Sequence, residues 1–303
     1  MLFIGKDLFS VMGRRYDIIH NLPSPMPNLE GADLVFLSVC TNFAPMKLWL
    51  LALCLWCNHP DEMIEVARSY LGIPYVAGTL ETTGEERLII NEDGVDCTTF
   101  VELSVARWLA MQSDSLTMEQ WVERLRYRDG VADGYLSRLH YFTDWVVENT
   151  RRGVWHELQP EEGSTLWQSD TLALSFMSQH PQSYPYLKEH LWAVDSMQVI
   201  EQRYEHHPVR YIGKEHLDLP PERLPIEDGD IVALVTTIEG LDVTHLGFAV
   251  WRGDTLHLMH ASMTHGKVVI DDRPLYEYLK GRKSCPGVRV VRVNDGNAER
   301  WEC

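Results

Sequence analysis

The feature that most constrains the fold is a change of hydrophobic period near residue 226 of this 303-residue chain. Upstream of it, apolar residues recur at helical spacing within segments 61–70 and 98–111. Downstream, strand patterns take over, and the turn Arg252-Gly253-Asp254 joins two of them into a predicted hairpin. Helices followed by an antiparallel sheet predict an α+β fold. The predicted strands are 230–235, 244–251, 255–261, 268–270 and 288–293.

Cys97 stands at the predicted start of the second helix. Gly94 and Val95 lead into Asp96, whose side chain suits the N-cap position, so Cys97 would begin the helix. The free N–H groups and the positive end of the helix dipole there favour a thiolate, and the same N–H groups could hold an oxyanion. The alternative interpretation is a small, inert, buried side chain.

A thiol nucleophile needs a base, and His245 and His260 lie on the two arms of the predicted hairpin. If its loop holds an even number of residues, both side chains face the same way, about one cross-strand neighbour apart. His257 has the opposite parity to His260 and should point away. A one-residue bulge would place the pair on opposite faces, and either histidine could instead be an ordinary core or surface residue.

Charge and cysteine content narrow the class of protein. The formal net charge of −17 argues against a nucleic-acid partner and against simple adsorption to anionic lipid. Six cysteines are too few for a disulfide framework in a chain of this length. Cys54 and Cys57 have metal-ligand spacing, but they lie in an apolar run without a second Cys/His pair nearby, which argues against a metal there.

The first 58 residues are predicted to be separate from the domain that follows. Residues 1–45 lack a clear period, and we interpret them as an upstream extension without a fold. Residues 46–58 start with Met46-Lys47 and a short apolar run, as in a secretory signal, and are too short for a transmembrane span of about 20 residues. The expected location is the periplasm or cell envelope, with lipid attachment at Cys54 or Cys57 as a variant. An ordinary buried segment is the alternative.

Four motifs resemble, in order and spacing, those of the NlpC/P60 cysteine peptidase superfamily. They are Pro74-Tyr75, Asp96-Cys97-Thr98, His245-Leu246-Gly247 and His260-Ala261. Within that superfamily the chain resembles the DUF1460 branch over about residues 61–293. The segments that carry this closer resemblance are DCTTFVE (96–102), RYR (126–128), SRLHYFTDW (137–145), GLDVTHLG (240–247) and LHLMHAS (256–262).

The resemblance implies a papain-like NlpC/P60 core, in which the nucleophile helix packs on an antiparallel sheet. One catalytic domain would span residues 59–303, with a large helical insertion at about 112–225. Cys97 would be the nucleophile, His245 the general base and His260 the orienting third residue.

The same resemblance implies further roles beside the nucleophile. Tyr75 matches a tyrosine that lines the site near the oxyanion, and Asp96 matches the acid beside the nucleophile. Thr98 replaces the usual serine at a position of substrate contact. In the insertion, five residues either contact sugar or carboxylate groups of the substrate or make internal salt bridges in an acidic protein. They are Arg126, Arg128, Arg138, His140 and Tyr141.

The implied activity is that of an N-acetylmuramoyl-L-alanine amidase. It would cut the lactyl–L-Ala amide of peptidoglycan fragments through a thioester, as a monomer and without metal or organic cofactor. One alternative is a stem-peptide endopeptidase, for example at a γ-D-glutamyl bond. The others are a zinc amidase using His245, His257 and His260, and a non-catalytic wall-binding module.

Overall fold

The structure, a computed structural model, describes residues 63–82, 84–112 and 115–294. The predictions for residues 1–58, including the signal segment and Cys54-x-x-Cys57, lie outside these ranges. The helices are α1 (Met63–Arg68), α2 (Cys97–Gln112), α3 (Met118–Arg126), α4 (Phe142–Arg151), α5 (Phe176–Gln179), α6 (Pro185–Glu189), α7 (Leu191–Gln202) and α8 (Leu275–Lys280). The strands are β1 (Trp155–Glu157), β2 (Trp167–Leu172), β3 (His207–Gly213), β4 (Ile231–Val235), β5 (Val243–Arg252), β6 (Thr255–Ser262), β7 (Lys267–Ile270) and β8 (Gly287–Val293).

The strands form one antiparallel sheet in the order β2-β3-β8-β4-β5-β6-β7, and β1 also pairs with β8. All five strands predicted after residue 226 are confirmed, as is the hairpin, in which Arg252 pairs with Thr255. Its two-residue loop begins at Gly253 with φ +59°, a left-handed conformation that glycine adopts without strain. Because the loop is even, the parity argument for the two arms applies.

Both faces of the central sheet are buried, which explains the continuous apolar run of β4. Ile231 and Ala233 join a core with α1 and α2, whereas Val232 and Leu234 join a second core with α8. On the α2 side, the rings of Phe100 and Phe248 meet edge to face with centroids 5.4 Å apart. Helix α2, which begins at Cys97, therefore packs on the sheet, as expected.

The insertion predicted to be helical at about 112–225 is only partly helical. The segment contains α3 to α7, but also β1, β2 and β3, which extend the sheet beyond β8. β2, with the sequence WQSDTL, is an edge strand whose central residues are exposed, so it lacks the apolar alternation that marks a half-buried strand. Within the described ranges, no helix is long and apolar enough to cross a bilayer.

Candidate active site

The N-terminus of α2 is capped by Asp96, as predicted. Its Oδ1 accepts the backbone N–H groups of Thr98 and Thr99 at 2.9 and 2.8 Å, and the Thr99 hydroxyl accepts the Asp96 N–H at 2.9 Å. The carbonyl of Asp96 accepts the N–H of Phe100. Within the described part of the chain, the Cys97 N–H makes no hydrogen bond. It is therefore the free donor at this helix end.

The Cys97 sulfur lies against β5. It is contacted by the backbone N–H of Leu246 and by the Thr98 hydroxyl, and both contacts lower its pKa. Burial outweighs them and, with the nearby Asp96 carboxylate, raises the pKa of Cys97 to about 12. Burial of the sulfur therefore opposes the thiolate that the helix end favours. Part of the Cys97 surface remains accessible.

His245 and His260 form a contacting pair, as their parity predicted. His245 Nε2 lies 2.6 Å from His260 Nδ1, and the two rings meet edge to face. Burial and the neighbouring His260 hold the pKa of His245 well below its ordinary value. Its imidazole is therefore neutral at pH 7 and can accept a proton. Nε2 of His245 faces His260, and Nδ1 is the ring nitrogen that does not take part in this contact.

Gly247 of β5 permits the close approach of β5 to β6. A Cβ at this position would lie 2.3 Å from the Met259 carbonyl oxygen and 2.9 Å from the His260 Cβ. Any larger residue would therefore push β6 away from β5. Pairing between these strands runs from Arg252 to Phe248 and does not continue into residues 243–247. That first part of β5 pairs only with β4, and it carries both His245 and the N–H that contacts the sulfur.

Two tyrosines lie near enough to Cys97 for the sulfur to affect their pKa values. Tyr75 is held by its backbone N–H, which donates to the Gly266 carbonyl at 2.8 Å, and by a parallel bridge to Val95. Burial and the nearby Cys97 raise the pKa of Tyr75, so its hydroxyl stays protonated as a potential donor. Tyr278 of α8 is also close enough to Cys97 for the sulfur to affect its pKa, which burial raises.

His257 does not join the pair. Its Nδ1 contacts the Asp271 carbonyl oxygen at 2.9 Å, and its Nε2 contacts the Thr255 hydroxyl at 3.1 Å. This agrees with its predicted opposite parity. Among the residues that the structure describes, no group of three or more His, Cys, Asp and Glu is arranged to hold a metal ion. The geometry offers no support for a zinc site built from the three histidines.

Two of the three arginines singled out in the insertion, Arg126 and Arg128, have internal acidic partners. Arg126 Nε donates to Glu102 Oε2 at 3.0 Å, and both side chains are 2% exposed. Arg128 binds Asp144 at 2.5 Å and Glu148 at 3.4 Å. Their guanidinium groups are thus used within the protein, which favours the internal salt-bridge interpretation over contact with a carboxylate of the substrate.

His140 and Tyr141 are likewise internal. His140 Nε2 contacts the Tyr135 carbonyl at 2.8 Å, and burial lowers its pKa well below the ordinary value. The Tyr141 hydroxyl donates to Glu201 at 2.6 Å and accepts the Met177 N–H at 2.8 Å. These contacts tie α4 to α5 and α7, and they leave neither side chain directed at the sulfur. Arg138 also has an internal partner, Glu81, at 2.8 Å.

Several residues of the GLDVTHLG and SRLHYFTDW motifs hold the insertion on the sheet. Asp242 Oδ2 accepts the Thr143 N–H at 2.7 Å in the first turn of α4, and its Oδ1 accepts the Val243 N–H. Arg289 donates to the Thr143 hydroxyl at 2.7 Å and to both oxygens of Glu157. These contacts fix the start of β5, and hence His245, against α4.

Sequence reasoning missed Asp271, Tyr278 and the N–H of Leu246. Asp271 follows β7, where its nearest carboxylate oxygen is 3.9 Å from His260 Nε2. Val269 pairs with His260, so the residue two positions later lies on the same face of the sheet. That acidic residue was visible in the sequence, but its position followed only once the β6–β7 register was known.

Comparisons with known proteins identify the family of the chain. A family model described as N-acetylmuramoyl-L-alanine amidase-like (AmiA-like) matches residues 65–288. An N-acetylmuramoyl-L-alanine amidase from Bacteroides uniformis is 41% identical with a TM-score of 0.71, covering 77% of this chain and 98% of that one. A Bacteroides fragilis protein described as a candidate xylanase is also 41% identical, with a TM-score of 0.70 and coverage of 76% and 100%.

A more distant structure shares the fold. A Legionella pneumophila protein assigned to DUF1460 is 20% identical, with a TM-score of 0.60 over 82% of this chain and 94% of that one. A search among curated proteins found no match. The family match spans well over half of the 303 residues, and the chain accordingly belongs to the N-acetylmuramoyl-L-alanine amidase-like (AmiA-like) family.

Proposed function

We propose that this protein is a cysteine-dependent N-acetylmuramoyl-L-alanine amidase of NlpC/P60 type, with a papain-like core. Its substrate would be a peptidoglycan fragment, cut between the lactyl group of the sugar and L-Ala. The observation that carries the proposal is the arrangement around Cys97. A partly exposed thiol at a helix N-terminus contacts the backbone of the strand that carries His245, and His245 is in turn bonded to His260.

The resting pair would be a neutral thiol and a neutral imidazole. The pKa of Cys97 is raised to about 12, and the pKa of His245 is lowered, so neither group is charged before substrate arrives. Proton transfer from sulfur to His245 Nδ1 would therefore accompany attack on the lactyl carbonyl carbon. This is general-base catalysis, as at a serine hydrolase, rather than attack by a preformed thiolate.

Charge that develops in the transition state would meet three donors. The free Cys97 N–H and the protonated Tyr75 hydroxyl could face the oxyanion, and the Leu246 N–H contacts the sulfur itself. The Thr98 hydroxyl also contacts the sulfur, and the Thr98 N–H donates to Asp96 Oδ1. We therefore assign Thr98 and Asp96 to the support of the nucleophile rather than to substrate contact.

Collapse of the tetrahedral intermediate would break the carbon–nitrogen bond. The His245 imidazolium, whose Nε2 donates to His260 Nδ1, would protonate the L-Ala amine as it leaves. A thioester between Cys97 and the lactyl group would remain. Water activated by the again neutral His245 would hydrolyse it and return the thiol.

The test uses defined muropeptides and product analysis by mass spectrometry. Cys97→Ala should abolish peptide release from a MurNAc-peptide. Cys285→Ala is the matched control, because Cys285 is buried and contacts the Gly287 carbonyl away from the histidine pair. Substantial turnover by Cys97→Ala would refute the nucleophile role.

The same assay separates the amidase from the stem-peptide endopeptidase. Free MurNAc and a peptide beginning with L-Ala are the expected products. A product that retains L-Ala on the sugar would instead identify a cut within the stem.

We also propose that the protein is exported to the periplasm or cell envelope after cleavage within residues 46–58, and that it acts as a monomer. N-terminal sequencing of the mature protein tests export, since a first residue upstream of Met46 would contradict it. Light scattering of the purified protein tests the oligomeric state.

A further inference from the structure

We propose that Asp271 is a positioning residue for the histidine pair, holding His260 in the tautomer that leaves its Nδ1 free to accept a hydrogen bond from His245. The inference rests on the cysteine mechanism proposed above. It extends the arrangement from Cys97, His245 and His260 to a fourth side chain. Asp271 lies in the turn after β7 and would touch neither substrate nor sulfur.

The mechanism itself fixes which nitrogen of His260 must carry the proton. His245 Nε2 and His260 Nδ1 are 2.6 Å apart, so one of them donates to the other. Once His245 has taken the thiol proton, both of its nitrogens are donors. His260 Nδ1 must then be the acceptor, and a neutral His260 must carry its proton on Nε2.

Nε2 of His260 lacks a hydrogen-bond acceptor among the described residues. It is buried and has no hydrogen-bond partner, although a buried N–H normally finds an acceptor. Asp271 Oδ2 is 3.9 Å away, and the side chains of His260 and Asp271 are 2% and 3% exposed. Hydrogen bonds of catalytic groups are often long before substrate binds, and they shorten in the complex. A small shift would bring this contact to hydrogen-bond distance.

Asp271 is itself held in place and ionised. Arg273 donates from its backbone N and from Nε to Oδ1, and from Nη2 to Oδ2, at 3.0, 2.9 and 2.8 Å. Burial opposes ionisation, but these hydrogen bonds hold the pKa of Asp271 below its ordinary value. The Arg273 guanidinium also lies over the ring of Tyr278, which meets the His260 ring edge to face. One cluster therefore fixes both the carboxylate and the imidazole that faces it.

Among the charged groups that act on His260, Asp271 favours a positive charge on the His245–His260 pair. The pKa of His260 is lowered to about 4, mainly by burial, with smaller contributions in the same direction from His265, Arg282 and Arg273. His245 faces it across β5, and the uncharged Tyr278 covers it from α8. Asp271 raises the pKa of His260 and so opposes these effects. The carboxylate would therefore also stabilise the imidazolium that forms on His245 during attack.

The first test needs neither substrate nor a variant. Nitrogen-15 NMR of the histidine side chains in the wild-type protein reports which ring nitrogen carries the proton. We expect His260 to be the Nε2–H tautomer, and a predominant Nδ1–H tautomer would overturn the proposal. Because this measurement does not depend on turnover, it stands even if the amidase assignment fails.

The second test compares Asp271→Asn with Asp272→Asn. Asp272 is the matched control, since the substitution removes the same charge one residue away from a fully exposed side chain. We expect Asp271→Asn to lower kcat by about tenfold or more, with KM changed by less than about threefold, because the wrong tautomer impairs the base. Asp272→Asn should stay within about twofold.

A pH profile separates positioning from a purely structural role. Loss of the carboxylate lowers the pKa of the histidine pair, so the acid limb of kcat/KM should move to lower pH in Asp271→Asn. The variant should also populate the Nδ1–H tautomer of His260. The proposal would be overturned if Asp271→Asn kept the wild-type kcat and the wild-type acid limb of kcat/KM. It would also be overturned if the variant lost activity while the His260 tautomer stayed unchanged. If this variant does not fold, the wild-type NMR measurement still decides.

Discussion

Removing Glu102 alone should cost the protein far more stability than removing Glu102 and Arg126 together. Both side chains are 2% exposed, and Arg126 Nη1 also donates to the Ile89 carbonyl at 2.5 Å. Glu102→Leu leaves an unpaired buried guanidinium, which costs about 3–5 kcal/mol. Arg126→Met leaves an unpaired buried carboxylate and should cost a similar amount. The double variant replaces the pair with apolar groups of similar volume and should lose less than about 2 kcal/mol.

Urea unfolding, followed by tryptophan fluorescence and circular dichroism, measures these differences. With an m-value of about 2–3 kcal/mol/M, each single variant should lower the unfolding midpoint by about 1–2.5 M. Glu65→Leu is the control, because Glu65 pairs with Arg68 on an exposed surface and should cost no more than about 1 kcal/mol. If Arg126 bound a carboxylate of the substrate, the single variants would instead alter substrate affinity. Midpoints within about 0.3 M of wild type, together with a raised KM, would refute the structural role.

Three further outcomes follow from the same contacts. Gly247→Ala should displace β6, lowering activity at least about tenfold and reducing the free energy of unfolding by about 1–3 kcal/mol. Gly281→Ala is the control, because a Cβ there meets open space, and it should change neither quantity in the same turnover and urea assays. Asp242→Ala removes the acceptor at the start of α4 and should cost about 1–2 kcal/mol by urea unfolding, against no measurable loss for Asp254→Ala in the exposed hairpin loop. Burial depresses the pKa of His140, so below about pH 6.5 the unfolded chain binds a proton that the folded protein does not, and stability falls as pH falls. His140→Gln should reduce this pH dependence of the free energy of unfolding by up to about 1.4 kcal/mol per pH unit.

The histidine pair and the helix cap could be predicted because each depends on local periodicity. A two-residue loop and a period of two put His245 and His260 on one face of the hairpin, whatever packs around it. Asp96 caps α2 through contacts within three residues of itself. The strands after residue 226 were equally visible, since burial on both faces leaves a continuous apolar run in β4.

What the sequence could not predict depends on distant partners. The protonation state of Cys97 follows from its desolvation against β5, about 150 residues later in the chain, and this outweighs the local helix end. For Arg126 and Arg128, substrate contact and internal salt bridges were both open from the sequence, because their acidic partners on α2 and α4 come from distant segments of the chain. The edge strand β2 carries mostly exposed polar residues, so no apolar period distinguishes it from a loop.

The protonated state of the resting Cys97 thiol has a consequence for its resistance to oxidation. Peroxide and similar oxidants react with thiolates, and a thiol with a pKa of about 12 is almost entirely protonated at neutral pH. Sulfenic acid should therefore form slowly at Cys97 in the absence of substrate. Under the proposed mechanism, the reactive sulfur would form only during turnover, and the resting thiol would need no reductant to restore it.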